Sequence, residues 1–296
     1  MCGIMGYVGE RSCADIVFNG LKRLEYRGYD SAGVAVLNEN KKIEIAKAEG
    51  KLKALEPMIK GLSPKAHLGI GHTRWATHGP PVTRNAHPHV AGDVALVHNG
   101  IIENYQDLKA GLSAAGVEFS SDTDTEVVLH LFRGELNHTE TVRDAIMSLI
   151  QKLRGAFSLG IMVAQEPGAL YLVKQGSPLV VGLGKNENFF GSDAAALVEH
   201  TNRAIFLEDG EFARISKDKV ELWNFDGEVV ERAPKTLEWA ADSVEKQGYA
   251  HYMLKEINEQ PAVMRRAINR LFDLETGAFN FVEMGLDKLD LSLIHI

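Results

Sequence analysis

Cysteine is almost absent. Only Cys2 and Cys13 occur in 296 residues. Two thiols are too few for a secreted disulfide framework, so the expected compartment is reducing and the expected location cytoplasmic. No apolar run reaches the roughly 18 residues that a membrane-spanning helix needs, so no membrane contact is expected. There is no basic block either. The 32 Lys and Arg against 40 Asp and Glu leave a net charge of −8, which argues against a nucleic-acid partner. The N-terminus has no basic leader before a long apolar core and does not read as a signal peptide. No repeat with a period of about 20–50 residues is visible. What is present is ordinary globular material, 45% hydrophobic and 24% charged, which excludes a disordered chain.

Hydrophobic spacing predicts strands and helices in alternation through about the first 230 residues. Strands are expected at Ile4–Val8, Val34–Leu37, Ile43–Ala46, Leu68–Gly71 and Val94–Val97, and at six further places between Ser158 and Trp223. Val17, Leu21 and Leu24 mark one helix; Leu108, Leu112 and Ala115 a second; Val142, Ile146, Leu149 and Leu153 a third. Thr123-x-x-Glu126 resembles a capping box opening another helix through Val128 and Phe132. Many strands are apolar at successive positions, which requires cover on both faces. The fold class is therefore α+β, with two sheets layered between helices. Residues 232–248 are polar and read as a linker. Tyr252 to Leu271 reads as helical, interrupted at Pro261, and the end of the chain, from Asp287, reads as cut short.

Several residues can carry chemistry. Cys2 stands behind the initiator Met1, and trimming Met1 would expose its α-amine beside its thiol. The reference pKa of the amine, about 7.7–8.0, suits it to take the proton of a thiol near about 8.5. Otherwise Cys2 is a small apolar residue opening a strand. Cys13, at a helix start, reads as packing. Six of the 11 histidines fall between His67 and His98, which suits either a metal site or a polar catalytic surface. No zinc-type spacing accompanies them, so no metal is expected. The segment His72-Thr73-Arg74-Trp75-Ala76-Thr77-His78-Gly79 is rich in donors, and a guanidinium such as that of Arg74 can grip a carboxylate. Asn99-Gly100 is either a hairpin turn or a pair of donors for a developing oxyanion. Asp124 lies in a helix cap or receives a substrate ammonium. A substrate with an amino-acid head and a carbonyl to attack fits this set, and glutamine is the economical choice.

These motifs also resemble a known family. Cys2-Gly3-Ile4, Arg27-Gly28-Tyr29-Asp30-Ser31-Ala32-Gly33, the His72–Gly79 segment, Asn85-Ala86-His87-Pro88-His89, His98-Asn99-Gly100 and Ser121-Asp122-Thr123-Asp124 are similar to those of class II glutamine amidotransferases. Within that class they resemble the glutaminase half of the glucosamine-6-phosphate synthases, over roughly residues 2–285. Amidophosphoribosyltransferases resemble the pattern but differ where this chain has Glu25 to Asp30, and asparagine synthetases lack the Trp75 to His78 loop.

The resemblance implies a four-layer αββα N-terminal-nucleophile hydrolase sandwich. It implies that Cys2 attacks the amide of L-glutamine, with Asn99 and Gly100 as the oxyanion hole. Arg74 and Asp124 would hold the head group, Thr77 and His78 would lie on a loop closing over it, and Trp75 would gate the ammonia path. His87 matches without an assigned role, and no cofactor is implied. The expected domains are a glutaminase over 2–231, a linker over 232–248 and, over 249–296, the start of a sugar isomerase region. In the family, further isomerase domains bind fructose 6-phosphate and receive the ammonia, and the full-length protein is expected to be a homodimer. The synthase reaction is not expected of these residues alone. Three readings stay open: the synthase's glutaminase, the glutaminase of another amidotransferase or a freestanding one, and a noncatalytic metal-binding or regulatory module built on the histidines.

Overall fold

Strand β1 (Gly3–Val8) builds two cores from one alternation. Ile4 and Val8 enter one apolar cluster, while Met5 and Tyr7 enter another. Successive strand side chains face opposite sides of a sheet, so a strand apolar throughout needs a layer on each side. The same division recurs in β2 (Ser31–Leu37), where Ala35 and Leu37 face one cluster and Val34 and Val36 the other. In β6 (Val94–Ile102), Ala95 and Val97 share a cluster with β1, whereas Val94 and Leu96 face a third.

The structure, a computed structural model, describes residues 2–237, 249, 251–272 and 279. The remaining elements are α1 (Cys13–Leu24), β3 (Ile43–Glu49), α2 (Leu52–Ile59), β4 (Leu68–Arg74), β5 (His89–Ala91), α3 (Tyr105–Ala114), α4 (Asp124–Leu136), α5 (Val142–Ile150), β7 (Gly155–Val163), β8 (Ala169–Gln175), β9 (Val180–Leu183), β10 (Asn188–Gly191), β11 (Arg203–Phe206), β12 (Glu211–Ser216), β13 (Val220–Asn224), β14 (Lys235–Thr236) and α6 (Tyr252–Leu271). Among the described residues the strands form two sheets. One runs β14-β11-β9-β10-β1-β4-β2-β3 and the other β13-β12-β8-β7-β6-β5. The pairings are antiparallel.

Helices α1 and α2 cover the outer face of the first sheet through Val17, Leu21, Leu24, Leu52, Leu55 and Ile59. Helices α4 and α5 cover the second through Val128, Leu129, Phe132, Ile146 and Leu149, with Leu108 of α3 packed beside them. The result is the αββα sandwich that the resemblance implies. Two registers position the candidate residues. Gly3 pairs with Thr73 and Ile4 with His72, which brings Cys2 to the end of β4. Asn99 pairs with Ser158 in the facing sheet.

The strand expected to end at Val97 continues to Ile102. Asn99-Gly100 is therefore ladder and not a hairpin turn. The apolar run stops at Val97, but β7 goes on pairing residue for residue through Ile102↔Gly155, so the ladder outlasts the hydrophobic signal. Periodicity also fails to single out α2, which is eight residues long with Pro57 inside, and the short strands β5 and β14.

The chain divides into two units, Met1–Trp239 and Ala240–Ile296. The first includes β14, which pairs with β11 through Arg203↔Thr236 and Ala204↔Lys235. The opening of the expected linker thus belongs to the first unit. Positions 238–248 of that linker, Met1 and the tail from Asp287 lie outside the described residues. In the second unit, α6 is continuous across Pro261, contrary to the expected interruption. Proline's fixed φ is itself helical, so a helix can run over it with one ladder hydrogen bond lost.

Phe190 of β10 is fully buried between the sheets. A Cβ on Gly6 would lie 1.9 Å from its ring and one on Gly160 2.6 Å away, so two glycines in facing sheets make room for one aromatic ring. We expect Phe190→Ala to cost about 3–5 kcal/mol, the range for emptying a large aromatic site. The urea midpoint measures this, and a shift worth less than about 1 kcal/mol would contradict the packing described.

Candidate active site

The β1–β4 register sets Cys2 against the point where the chain leaves β4. Its Sγ accepts a hydrogen bond from the Trp75 backbone N–H at 3.1 Å and lies 3.4 Å from the Trp75 carbonyl oxygen. Burial raises the Cys2 thiol pKa, while the Trp75 N–H and the positive charge of Arg74 pull it back. The net is a thiol protonated at neutral pH that needs a base. Among the described residues the hydrogen bonds of Sγ go to Trp75, not to a histidine. Burial pushes the Cys13 thiol to about 12, which makes it inert.

The second sheet reaches the same place through β6. Asn99 Nδ2 donates to the Cys2 carbonyl oxygen at 3.1 Å. Gly100 has φ +119, a conformation that favours glycine, and a Cβ there would lie 2.0 Å from the Ala156 carbonyl oxygen. Only glycine lets the backbone turn here beside Cys2 while it stays in register with β7.

Two opposite charges stand near the thiol, both buried. Arg74 donates to the carbonyl oxygens of His78, Gly79 (3.2 Å) and Pro80 (3.1 Å), so it also shapes the loop after β4. Asp124 opens α4, whose N-cap Thr123 accepts from the Glu126 N–H as the capping pattern predicts. The Asp124 carboxylate accepts from the Ile102 N–H at 3.0 Å and lies 4.0 Å from His78 Nδ1. His98 Nδ1 is 3.0 Å from Thr125 Oγ1, which donates to Asp124 at 3.5 Å.

Cys2, Arg74, Trp75, Thr77, His78, Gly100 and Asp124 all line one cleft, with about 270 Å³ of empty space. A second, largely apolar cleft shares Cys2, Trp75, Thr77 and Gly100 and adds Arg27, Asn99, Ile101, Ser177 and Pro178. Trp75 is half-exposed and meets Tyr29 edge-on at 5.7 Å. Every residue named as a candidate from the sequence thus comes together around Cys2. An activated thiol here would have a cation, an anion and amide donors around one small space, the set needed to hold a zwitterionic head group and cleave an acyl bond.

Residues 72–199 match the glutamine amidotransferase domain family. The whole chain aligns at 44% identity with 49% of the glutamine–fructose-6-phosphate aminotransferase (isomerizing) of Gloeobacter violaceus. The protein of that name from Thermococcus kodakarensis is 48% identical over 91% of this chain and 45% of its own length. Among solved structures, the glutamine phosphoribosylpyrophosphate amidotransferase of B. subtilis, complexed with ADP and GMP, superposes with a TM-score of 0.66 at 26% identity, over 77% of this chain and 50% of that one. This chain belongs to the class II glutamine amidotransferases. The chain spans about half the length of the curated relatives it matches.

The candidate site rests on polar residues that sequence reasoning left without roles. Asp30 Oδ2 accepts from the Ala76 N–H at 2.7 Å and fixes the loop after Trp75. Asn85, fully buried, bonds both Pro80 and Asp122 and pins the far end of that loop. Both stand inside quoted motifs, which was the available signal. Among the described residues no group of three or more His, Cys, Asp or Glu is arranged to hold a metal ion. The histidines pack as rings, His72 on His87 at 4.2 Å and His87 on His89 at 4.9 Å.

Burial lowers the pKa of all four inner histidines, His72 and His89 to about 3, His87 well below its ordinary value and His98 in the same direction. In the unfolded chain they titrate near about 6.5. The stability gained by keeping them neutral is complete above that pH and is lost as pH falls toward about 3. Unfolding free energy should therefore decline from about pH 6.5 downward, with a limiting slope of about 1.4 kcal/mol per pH unit for each histidine. Denaturant titrations at a series of pH values test this. Constant stability between about pH 7 and 5 would show that these rings are not held neutral by the fold.

Proposed function

We propose that this chain is the glutamine-cleaving half of a glucosamine-6-phosphate synthase. The observation that carries the reading is the convergence on Cys2 of buried Arg74, buried Asp124 and the Asn99–Gly100 backbone from the facing sheet. The thiol is raised by burial and bonded to Trp75 alone among the described residues, so its base has to come from elsewhere. Removal of Met1 supplies one, the Cys2 α-amine.

In the proposed reaction the amine takes the thiol proton and the thiolate attacks the side-chain amide carbon of L-glutamine. Arg74 holds the substrate carboxylate and Asp124 its ammonium. Thr77 and His78 lie over it on the loop that Arg74 shapes. Asn99 Nδ2–H and the Gly100 N–H stabilise the tetrahedral oxyanion. The protonated amine then gives its proton to the departing nitrogen, ammonia leaves and a γ-glutamyl thioester remains. Water, deprotonated by the same amine, hydrolyses the thioester to glutamate and regenerates the thiol. Ammonia departs by the apolar cleft past Trp75, which acts as its gate. These steps call for neither metal nor organic cofactor.

The names of the relatives, together with their roughly double length, support the rest of the reading. The ammonia would aminate fructose 6-phosphate on sugar isomerase domains, of which residues 249–296 are the beginning, with the glutaminase over 2–231 continued by β14 and then the linker. A homodimer of the full protein is carried over from the resemblance. A cytoplasmic setting suits a nucleophilic thiol that must stay reduced.

Two outcomes test the assignment. The chain should release glutamate from glutamine, with intact mass showing Met1 absent. Cys2→Ala should abolish this, whereas Cys13→Ala should leave kcat within about two-fold, since that thiol only fills space. Full activity with Met1 retained, or equal losses in both variants, would refute the mechanism. Asn99→Ala should lower kcat by about 10²–10³-fold with little change in KM, as for a lost oxyanion donor. A rise in KM alone would make Asn99 a substrate-binding contact instead.

A further inference from the structure

His72 is fully buried on β4, faces the site from behind and has no part in the steps above. Its Nε2 lies 3.0 Å from the His98 carbonyl oxygen and 3.0 Å from Asn99 Oδ1. A carbonyl oxygen only accepts, so Nε2 must carry the proton and donate to both. The orientation of Asn99 follows by the same logic. Its Nδ2 faces the Cys2 carbonyl oxygen, also an acceptor, which leaves Oδ1 for His72. The two ends of the Asn99 amide are nearly isosteric, and only such partners decide which one faces the thiol.

We infer that His72 is a positioning residue that holds the Asn99 amide with its N–H end toward the reacting carbonyl. The inference rests on the glutaminase reading and adds to it the group that keeps the oxyanion donor from turning over. Without His72 the amide is free to rotate and present Oδ1, whose negative end repels an oxyanion. The ring is fitted for a fixed task. It meets the ring of His87 at 4.2 Å, tilted by 38°, and burial lowers its pKa to about 3, so it remains a neutral donor across the working range. It is no general base for Cys2: its Nε2 proton is committed to Asn99 and His98, and among the described residues its Nδ1 has no hydrogen-bond partner.

The test uses the full chain and three variants, His72→Phe, His72→Gln and the double variant His72→Phe/Asn99→Ala. His72→Phe should lower kcat for glutamine by about 10–100-fold with KM within about two-fold. Alkylation of Cys2 by iodoacetamide, which forms no oxyanion, should keep its unmutated rate. His72→Gln, which can still donate, should recover most of kcat. The double variant should be no slower than Asn99→Ala, because a residue acting only through Asn99 has nothing further to lose. Unchanged kcat in His72→Phe, an equal fall in alkylation, or additive losses in the double variant would each overturn the inference.

Should His72→Phe fail to fold, 15N NMR of the unmutated chain decides. The Nε2–H tautomer of His72, persisting from about pH 8 to 5, supports the inference. The Nδ1–H tautomer overturns it. If the unmutated chain does not hydrolyse glutamine yet shows the Nε2–H tautomer, the glutaminase reading fails while the hydrogen bond to Asn99 stands.

Discussion

The Asn99 amide joins the two halves of the site: from the six-stranded sheet its Nδ2 donates to the Cys2 carbonyl oxygen beside the eight-stranded one, and its Oδ1 accepts from His72 of that sheet. It spans the gap between layers that are elsewhere held together by Ile4, Val97, Phe190 and their apolar neighbours. An amide can sit in that gap only if its remaining polar atoms are satisfied, because an unpaired buried polar group costs about 1–3 kcal/mol. His72 satisfies Oδ1, and the Cys2 carbonyl oxygen accepts from Nδ2. Most of the buried polar residues at this end of the sandwich can be understood as consequences of placing that one donor between two sheets.

The consequences spread outward in a definite order. His72 packs on His87, and His87 meets the rings of His89 and His98. His89 Nε2 in turn meets Thr123 Oγ1 at 2.9 Å, and Thr123 caps α4. Burial alone would raise the Glu126 pKa, but hydrogen bonds from His130, Ser121 and Ser120 more than offset this and hold the carboxylate ionised. The start of α4 is thereby fixed, and with it Asp124. A single network runs from Asn99, the proposed oxyanion donor, to Asp124, the carboxylate proposed to receive an ammonium.

The sequence made the four layers legible because alternation in strands and a 3.6-residue period in helices are local signals. The stripe Val17, Leu21, Leu24 needs only one helix to be seen. The site was legible as a set of residue types, since Cys2, Arg74, Asn99, Gly100 and Asp124 each carry a recognisable chemistry. What stayed hidden depends on register. Nothing local says that β6 continues past Val97, because His98-Asn99-Gly100 has the composition of a turn and is held in the ladder by β7. Nothing local says that His72 meets Asn99, 27 residues away. The histidine cluster suited either a metal site or a polar surface, because spacing cannot distinguish rings that converge on an ion from rings that pack on one another.

Cys2 also sits where two unlike clefts meet. One is walled by Arg74 and Asp124, the other by Ile101, Pro178 and Trp75. A charged, hydrogen-bonding wall holds a zwitterion well, and an apolar wall gives a small neutral molecule few reasons to stay. Amide cleavage turns one zwitterion into another zwitterionic product and neutral ammonia. The walls on the two sides of the thiol therefore differ in the same sense as the two products. The backbone also explains why that asymmetry can be maintained. Trp75 leaves β4 directly after Arg74, so the residue that would hold the head group and the residue at the mouth of the apolar cleft are neighbours in sequence, held apart by the end of one strand. A histidine base beside Sγ would have to occupy one of these clefts. A base supplied by the nucleophile's own α-amine occupies neither, which is the physical reason the proposed mechanism suits a thiol at the very start of a strand.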